Sequence, residues 1–114
     1  MQDESFIDRR IFARIPIGLS IRFLGSNMDS ECRGQTIDVS ANGVSFTSEE
    51  SFSPQTALEM WLDLPENQGP FYTRGKVVWS SNSSDASRRR IGVHLEKAEL
   101  MGLAPILWRE NGSK

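Results

Sequence analysis

The chain has almost none of the residues that build disulfides or metal centres. Its 114 residues include one cysteine, Cys32, and one histidine, His94. A single cysteine cannot form an intrachain disulfide and suits a reducing compartment, so we expect a cytoplasmic protein. A zinc site of the usual ligand types needs more cysteine or histidine than this chain supplies. The sequence therefore predicts no metal.

Long apolar runs and an excess of basic residues are also missing. The segment 1–5 is polar and acidic, unlike a signal peptide, and the most apolar segment, 100–108, is far too short for a bilayer. Thirteen basic residues face fifteen acidic ones, with a net charge of −2 and a pI of about 5.4. We expect no membrane insertion and no long nucleic acid as partner, because such nucleic-acid binding needs a dominant basic field. A small anionic ligand held by a local basic cluster remains compatible.

Catalytic patterns are scarce as well. No GxGxxG or P-loop sequence occurs, and none of the serines sits in a nucleophile-elbow pattern. His94 lies between Val93 and Leu95, so alternation predicts that it faces outward on a strand or packs against a helix. We therefore expect that the protein is not an enzyme.

Alternating hydrophobic residues are the main feature that the sequence does contain. Hydrophobic residues recur at every second position from Ile15 to Phe23, which is typical of a strand with one buried face. Similar patterns and turn signals predict five further strands, at 32–39, 44–47, 58–64, 72–79 and 90–96. The segment 80–87 reads as a polar loop, and 97–110 has a helical apolar face that Pro105 should kink or divide.

Six strands at hairpin spacing followed by one helix predict an all-β protein, a six-stranded antiparallel β-barrel with a C-terminal helix. The length of the chain fits one domain. We expect residues 1–14 to form a flexible N-terminal arm and residues 15–114 to form the barrel and helix.

The N-terminal arm carries three arginines, in the sequence Arg9-Arg10-Ile11-Phe12-Ala13-Arg14. Arg10 and Arg14 are four residues apart, so they share a side on an extended chain and are neighbours on a helix. An arginine fork can bind phosphate through two hydrogen bonds, pair with the O6 and N7 edge of guanine, or stack on a base. The alternative is a solvated arm whose arginines pair with nearby acidic residues.

The second polar cluster is Asp38-Val39-Ser40-Ala41-Asn42-Gly43, at the turn between two predicted strands. Asp38 can accept hydrogen bonds from the N–H groups of guanine, and Ser40 can both donate and accept. Asn42 and Gly43 tolerate the positive φ of tight hairpins, and Gly43 lets a ligand approach the backbone. The alternative is an ordinary Asx-type turn that closes a hairpin.

The order of these motifs resembles the PilZ domain family: an Arg-Arg-x-x-x-Arg arm before the first strand, then Asp-x-Ser-x-x-Gly about two dozen residues later. Further likeness lies in 75–79 (Gly-Lys-Val-Val-Trp) and 91–95 (Ile-Gly-Val-His-Leu), so the resemblance covers about 9–108. It implies a six-stranded barrel with a C-terminal helix that binds cyclic di-GMP, a bacterial second messenger.

The resemblance also implies a set of ligand-binding residues. Arg10 and Arg14 would hold phosphates and guanine faces, with Arg9 assisting and favouring a stacked ligand dimer. The full implied set is Arg9, Arg10, Arg14, Asp38, Ser40, Gly43 and Trp79. Trp79 has an alternative role, since a tryptophan at the end of a strand serves either as a core or helix-covered residue or as an aromatic platform for a base. The run 88–90 is either a solvated basic face or a further source of positive charge for the ligand or a partner.

The function that follows is a cyclic di-GMP receptor and adaptor, without a cofactor, whose arginine arm becomes ordered on ligand binding and signals to an effector protein. One alternative is a barrel of the same fold that acts through protein–protein contacts with weak or no nucleotide binding. Another is a small OB-like barrel for single-stranded nucleic acid, which the acidic pI and the single tyrosine disfavour.

Overall fold

The chain folds into an antiparallel sheet that closes on itself, in a computed structural model that describes residues 13–82 and 88–107. The strands are β1 Ile15–Pro16, β2 Ser20–Gly25, β3 Cys32–Ser40, β4 Gly43–Ser48, β5 Ala57–Asp63, β6 Pro70–Asn82 and β7 Arg89–Leu95. A 3-10 turn at Pro65–Asn67 joins β5 to β6, and one helical turn at 104–107 follows β7.

The strand order confirms the predicted six-stranded barrel. Neighbouring strands pair in the order β3-β2-β5-β6-β7-β4, and β4 pairs with β3 to close the ring. The short β1 and β2 lie on the same edge of β3, with Ile15 opposite Val39 and Ser20 opposite Gln35. The predicted first strand is thus divided in two by an interruption at 17–19.

Thr36 on β3 accounts for this interruption. Its hydroxyl donates to the carbonyl of Ile17 at 2.6 Å and accepts from the backbone N–H of Leu19 at 2.7 Å. The Thr36 side chain thereby satisfies two backbone groups that the strand ladder leaves unpaired. The same two hydrogen bonds satisfy the hydroxyl of Thr36, which is buried. Pro16, which has no N–H, is the last residue of β1, where the regular ladder ends.

Alternate residues of every long strand fill the barrel, and the segment after β7 covers one end. Phe23 and Phe46 are fully buried with ring centroids 4.7 Å apart. The helix is shorter than the predicted 97–110: within the described residues it spans only 104–107, preceded by turns. Pro105 lies in its first turn, where an N–H is not needed, and so it starts the helix instead of kinking it. No helix among residues 13–82 and 88–107 has the length and apolar character needed to cross a bilayer.

Candidate functional site

The turn between β3 and β4 places Ser40 and Gly43 opposite each other as the last pair of the hairpin. The Ser40 side chain is 1% exposed, and its hydroxyl donates to Asn42 Oδ1 at 3.0 Å. Neither Asn42 nor Gly43 has a positive φ, so the turn does not use the left-handed conformation that these residue types tolerate. The Ser40 hydroxyl therefore stabilises the turn in this structure.

The backbone of this turn is held by the C-terminal part of the chain. The carbonyl of Asn42 accepts from Leu95 N at 2.9 Å, and the carbonyl of Ala41 accepts from Glu99 N at 2.8 Å. Ala41 is itself fully buried. These contacts fix the turn against the end of β7 and the segment that follows it.

Arg14 and Asp38, one residue from each predicted motif, form an ion pair. Arg14 Nη2 lies 3.2 Å from Asp38 Oδ1, with the two side chains 50% and 24% exposed. The pairing of Pro16 with Asp38 explains the contact, because it brings the residues just before β1 beside this part of β3. A pair this exposed stabilises a fold by roughly 0–1 kcal/mol. A ligand can therefore separate the two groups at little cost.

Gly43 lies directly beside this ion pair. A Cβ at Gly43 would be 3.8 Å from Arg14 Nη1 and only 3.1 Å from the carbonyl oxygen of Val93 on β7. Glycine is favoured here by the close approach of the neighbouring strand, since its φ is not positive. The same absence of a side chain keeps the space beneath the guanidinium open.

A β-bulge turns Asp38 to the outside of the barrel. In β3 the side chains of Cys32 and Thr36 contact or enter the core, so strict alternation would place Asp38 there too. The register shifts between Thr36 and Asp38, and Val39 takes the buried position instead. The extra residue, Ile37, is what re-aims the carboxylate.

Trp79 also faces outward because of a bulge. Thr73 and Val77 on β6 are buried, and continued alternation would bury Trp79 as well. The pairing with β7 shifts between Val77 and Trp79, which leaves Trp79 41% exposed. The alternative of a core or helix-covered tryptophan is therefore wrong.

The two outward residues belong to one row that crosses four strands. Asp38 pairs with Ser45 on β4, Ser45 with Gly92 on β7, and Gly92 with Trp79 on β6. The Trp79 indole extends over Gly92, where an added Cβ would overlap the ring. The ring thus lies above β7, two strand spacings or about 10 Å from β3. We call these four residues, Asp38, Ser45, Gly92 and Trp79, the recognition row.

Sequence reasoning missed Ser45 and Gly92. Ser45 Oγ donates to Asp38 Oδ1 at 2.9 Å, although Ser45 lies outside the Asp-x-Ser-x-x-Gly motif. Gly92 was noted only as part of the family-like segment 91–95. Both contacts depend on cross-strand register, and the one available signal was a small residue at an outward strand position.

The remaining predicted positions divide into those that the structure describes and those that it does not. Arg9 and Arg10 lie outside the described residues. Arg90 is exposed and pairs with Thr47, two residues along β7 from Gly92, so it shares the outer face of the recognition row. Arg89 instead donates to the carbonyl of Glu49 at 3.3 Å. His94 is exposed on β7, as alternation predicted.

Comparison with known proteins assigns the chain to a family. The family model for the PilZ domain matches residues 8–101, and the chain belongs to this family. PilZ domains are ligand-binding receptor or adaptor domains and not enzymes. A search of curated protein sequences finds no significant match.

The fold is shared with solved structures, among them the following three. The inhibitor of motility MotI/DgrA from Bacillus subtilis has a TM-score of 0.72 and 19% sequence identity; the alignment covers 93% of this chain and 52% of that one. This chain therefore spans about half the length of MotI. The PilZ domain of YcgR from Escherichia coli, solved with c-di-GMP, has a TM-score of 0.67, 14% identity and coverages of 93% and 98%. The PilZ domain of CeSA from a cellulose-synthesizing bacterium has a TM-score of 0.58, 14% identity and coverages of 85% and 92%.

Proposed function

We propose that this chain is a cyclic di-GMP receptor whose binding surface is the outer wall around Arg14 and the recognition row. The observation that carries the proposal is the contact between the two predicted motifs, Arg14 to Asp38 at 3.2 Å beside Gly43. Membership of the PilZ family and the fold shared with the c-di-GMP complex of YcgR support the same ligand.

The chemistry of the wall suits a ligand with two bases and two phosphates. Arg14 can bind a phosphate or the O6 and N7 atoms of guanine, and Asp38 can accept from the N–H groups of guanine. Trp79 can stack on a base. The carboxylate and the indole stand about two strand spacings apart, so a ligand that engages both must carry two recognition groups, as a cyclic dinucleotide does.

The expected affinity is micromolar. Stacking on an aromatic ring contributes roughly 1–3 kcal/mol per base, and an arginine–guanine pair a similar ~1–3 kcal/mol. Ordering of a flexible segment costs about 2–5 kcal/mol. Several such contacts less this cost give about −8 kcal/mol, or a dissociation constant near 1 μM.

The arm completes the proposed receptor. Arg10, with Arg9 assisting, supplies further phosphate and base contacts, and residues 1–14 become ordered against the wall when the ligand binds. The ordered arm presents a new surface to a cytoplasmic effector protein. These roles rest on the sequence motif and the family. The ion pair of Arg14, the last arginine of the motif, with Asp38 on the outer wall supports these roles.

Isothermal titration with cyclic di-GMP tests the receptor role. The wild type should bind saturably, Arg14→Ala should bind about tenfold or more weakly, and an Arg10→Ala, Arg14→Ala double variant should not bind measurably. Arg74→Ala is the matched control, because Arg74 lies on β6 in an exposed ion pair with Glu96 and away from the recognition row. Absence of binding by the wild type at millimolar ligand would reject the receptor role and favour a protein–protein interaction module.

A further inference from the structure

Ser45 occupies a position that the ligand motif does not include. Its neighbours Val44 and Phe46 are fully buried in the core, so Ser45 faces the outer wall. It is nevertheless only 3% exposed, and its hydroxyl donates to Asp38 Oδ1 at 2.9 Å. An alanine would fill nearly the same space, so what the serine adds at this position is the hydrogen bond to the carboxylate.

The two oxygens of the Asp38 carboxylate have different surroundings. Oδ1 receives both the Ser45 hydroxyl at 2.9 Å and Arg14 Nη2 at 3.2 Å. Among residues 13–82 and 88–107, no hydrogen bond is donated to Oδ2. The terminal torsion of an aspartate is soft, so the hydrogen bond and the ion pair on Oδ1 decide where Oδ2 points.

Of these two contacts, only the hydrogen bond from Ser45 can remain fixed in a complex. Arg14 is half exposed, directly precedes a strand of only two residues and is itself a proposed ligand contact. When Arg14 turns to a phosphate or a base, the hydrogen bond from Ser45 is the contact from residues 13–82 and 88–107 that still holds the carboxylate. Its short side chain, on a strand paired on both edges, loses little conformational freedom in doing so.

We propose that Ser45 is a positioning residue that orients the Asp38 carboxylate toward the pairing edge of guanine. The inference rests on the proposed function, since it concerns how that same site selects its base. Guanine offers two adjacent donors there, the ring N–H and the exocyclic amino group, whereas hypoxanthine lacks the amino group. A carboxylate held in one orientation distinguishes these two bases, and one that rotates freely distinguishes them poorly.

Titrations of Ser45→Ala with cyclic di-GMP and with cyclic di-IMP, its hypoxanthine analogue, test this role. The wild type should prefer cyclic di-GMP by about tenfold, the scale of one hydrogen bond to a charged group. In Ser45→Ala that preference should fall to about twofold, mostly through weaker binding of cyclic di-GMP. Ser45→Thr, which retains the hydroxyl and suits a strand, should restore it.

Thr47→Ala is the matched control. Thr47 lies two residues further along β4 on the same face, and its hydroxyl accepts from the backbone N–H of Gln35 instead of contacting Asp38. This variant should keep the wild-type preference between the two ligands. Circular dichroism and thermal unfolding of each variant confirm that the folded proteins are being compared.

The outcomes separate this inference from the receptor proposal. A wild type that binds neither ligand rejects the receptor role and the inference with it. A wild type that binds, combined with a Ser45→Ala variant of unchanged preference, rejects the inference alone. An equal loss of affinity for both ligands in Ser45→Ala also rejects it, because that result indicates a general structural effect and not base selection.

Discussion

Replacement of Gly92 by alanine should displace the Trp79 ring that lies over it, and should thereby weaken the proposed binding of cyclic di-GMP. The three atoms nearest to a Cβ at Gly92 all belong to the Trp79 indole, and the farthest of them, Cζ2, is 2.7 Å away. Real Cβ atoms do not approach other atoms so closely, so either the ring or β7 must shift. The ring is partly exposed and is free to rotate outward, whereas β7 is paired on both edges.

Two magnitudes follow from this displacement. Overpacking of this kind costs about 1–3 kcal/mol of folding free energy. Loss of an aromatic platform costs about 1–3 kcal/mol of binding, which corresponds to a decrease of roughly 5- to 150-fold in affinity for cyclic di-GMP. Urea unfolding followed by far-ultraviolet circular dichroism measures the first effect, and isothermal titration measures the second.

A double-mutant cycle shows whether Gly92 acts through the ring. In a Trp79→Ala background the overlap no longer exists, and Gly92→Ala should then stabilise the fold by about 0.5–1 kcal/mol, because alanine loses less backbone entropy than glycine in a strand. Binding should not weaken further in that background. Gly18→Ala is the control, since its Cβ would meet only the flexible end of Gln35 at 3.3 Å. A destabilisation by Gly92→Ala that persists without the Trp79 ring would refute the reasoning.

Two further predictions concern the barrel itself. Burial, followed by the negative charges of Glu50 and Glu49, raises the pKa of the Cys32 thiol. Cys32 should therefore stay protonated at neutral pH and react slowly with iodoacetamide. The pH midpoint of this reaction should lie above that of a free thiol and should move downward in Glu50→Gln. Thr36→Val should destabilise the barrel by about 2 kcal/mol or more in urea unfolding, because it removes both hydrogen bonds that bridge the interruption between β1 and β2. An unchanged unfolding midpoint in Thr36→Val would mean that water replaces the hydroxyl.

Local pattern was sufficient to predict the strands. Each predicted strand overlaps an observed one, because alternation of hydrophobic residues reflects burial on one face and needs no knowledge of the partner strand. The hairpin spacing of these strands predicted the antiparallel barrel, and the family resemblance added the ligand and the full set of candidate ligand residues. The short helix differs from its prediction because Pro105, read as an interruption, stands at a helix start.

The orientation of the candidate site was not predictable by the same means. Alternation alone would bury Asp38 with Thr36 and Trp79 with Val77. Both residues face outward because β3 and β6 each contain a bulge, and a bulge is defined by the register of two strands distant in sequence. The hydrogen bond from Ser45 to Asp38 depends on one of these registers, so it too could not be read from one segment of sequence.

The contacts that hold the β3–β4 turn limit how the proposed ligand could signal. Ser40 and Ala41 are at most 1% exposed, and the turn carbonyls accept backbone hydrogen bonds from Leu95 and from Glu99. Moving this turn would break those bonds and disturb the segment that covers the end of the barrel, which makes a large rearrangement of the turn unfavourable. Arg14, in contrast, is half exposed and is joined to the wall by an ion pair of small stabilising energy. The change on binding should therefore be concentrated in the residues that precede β1, and an effector that distinguishes the bound state should contact them or the ligand, while the barrel serves as a fixed base.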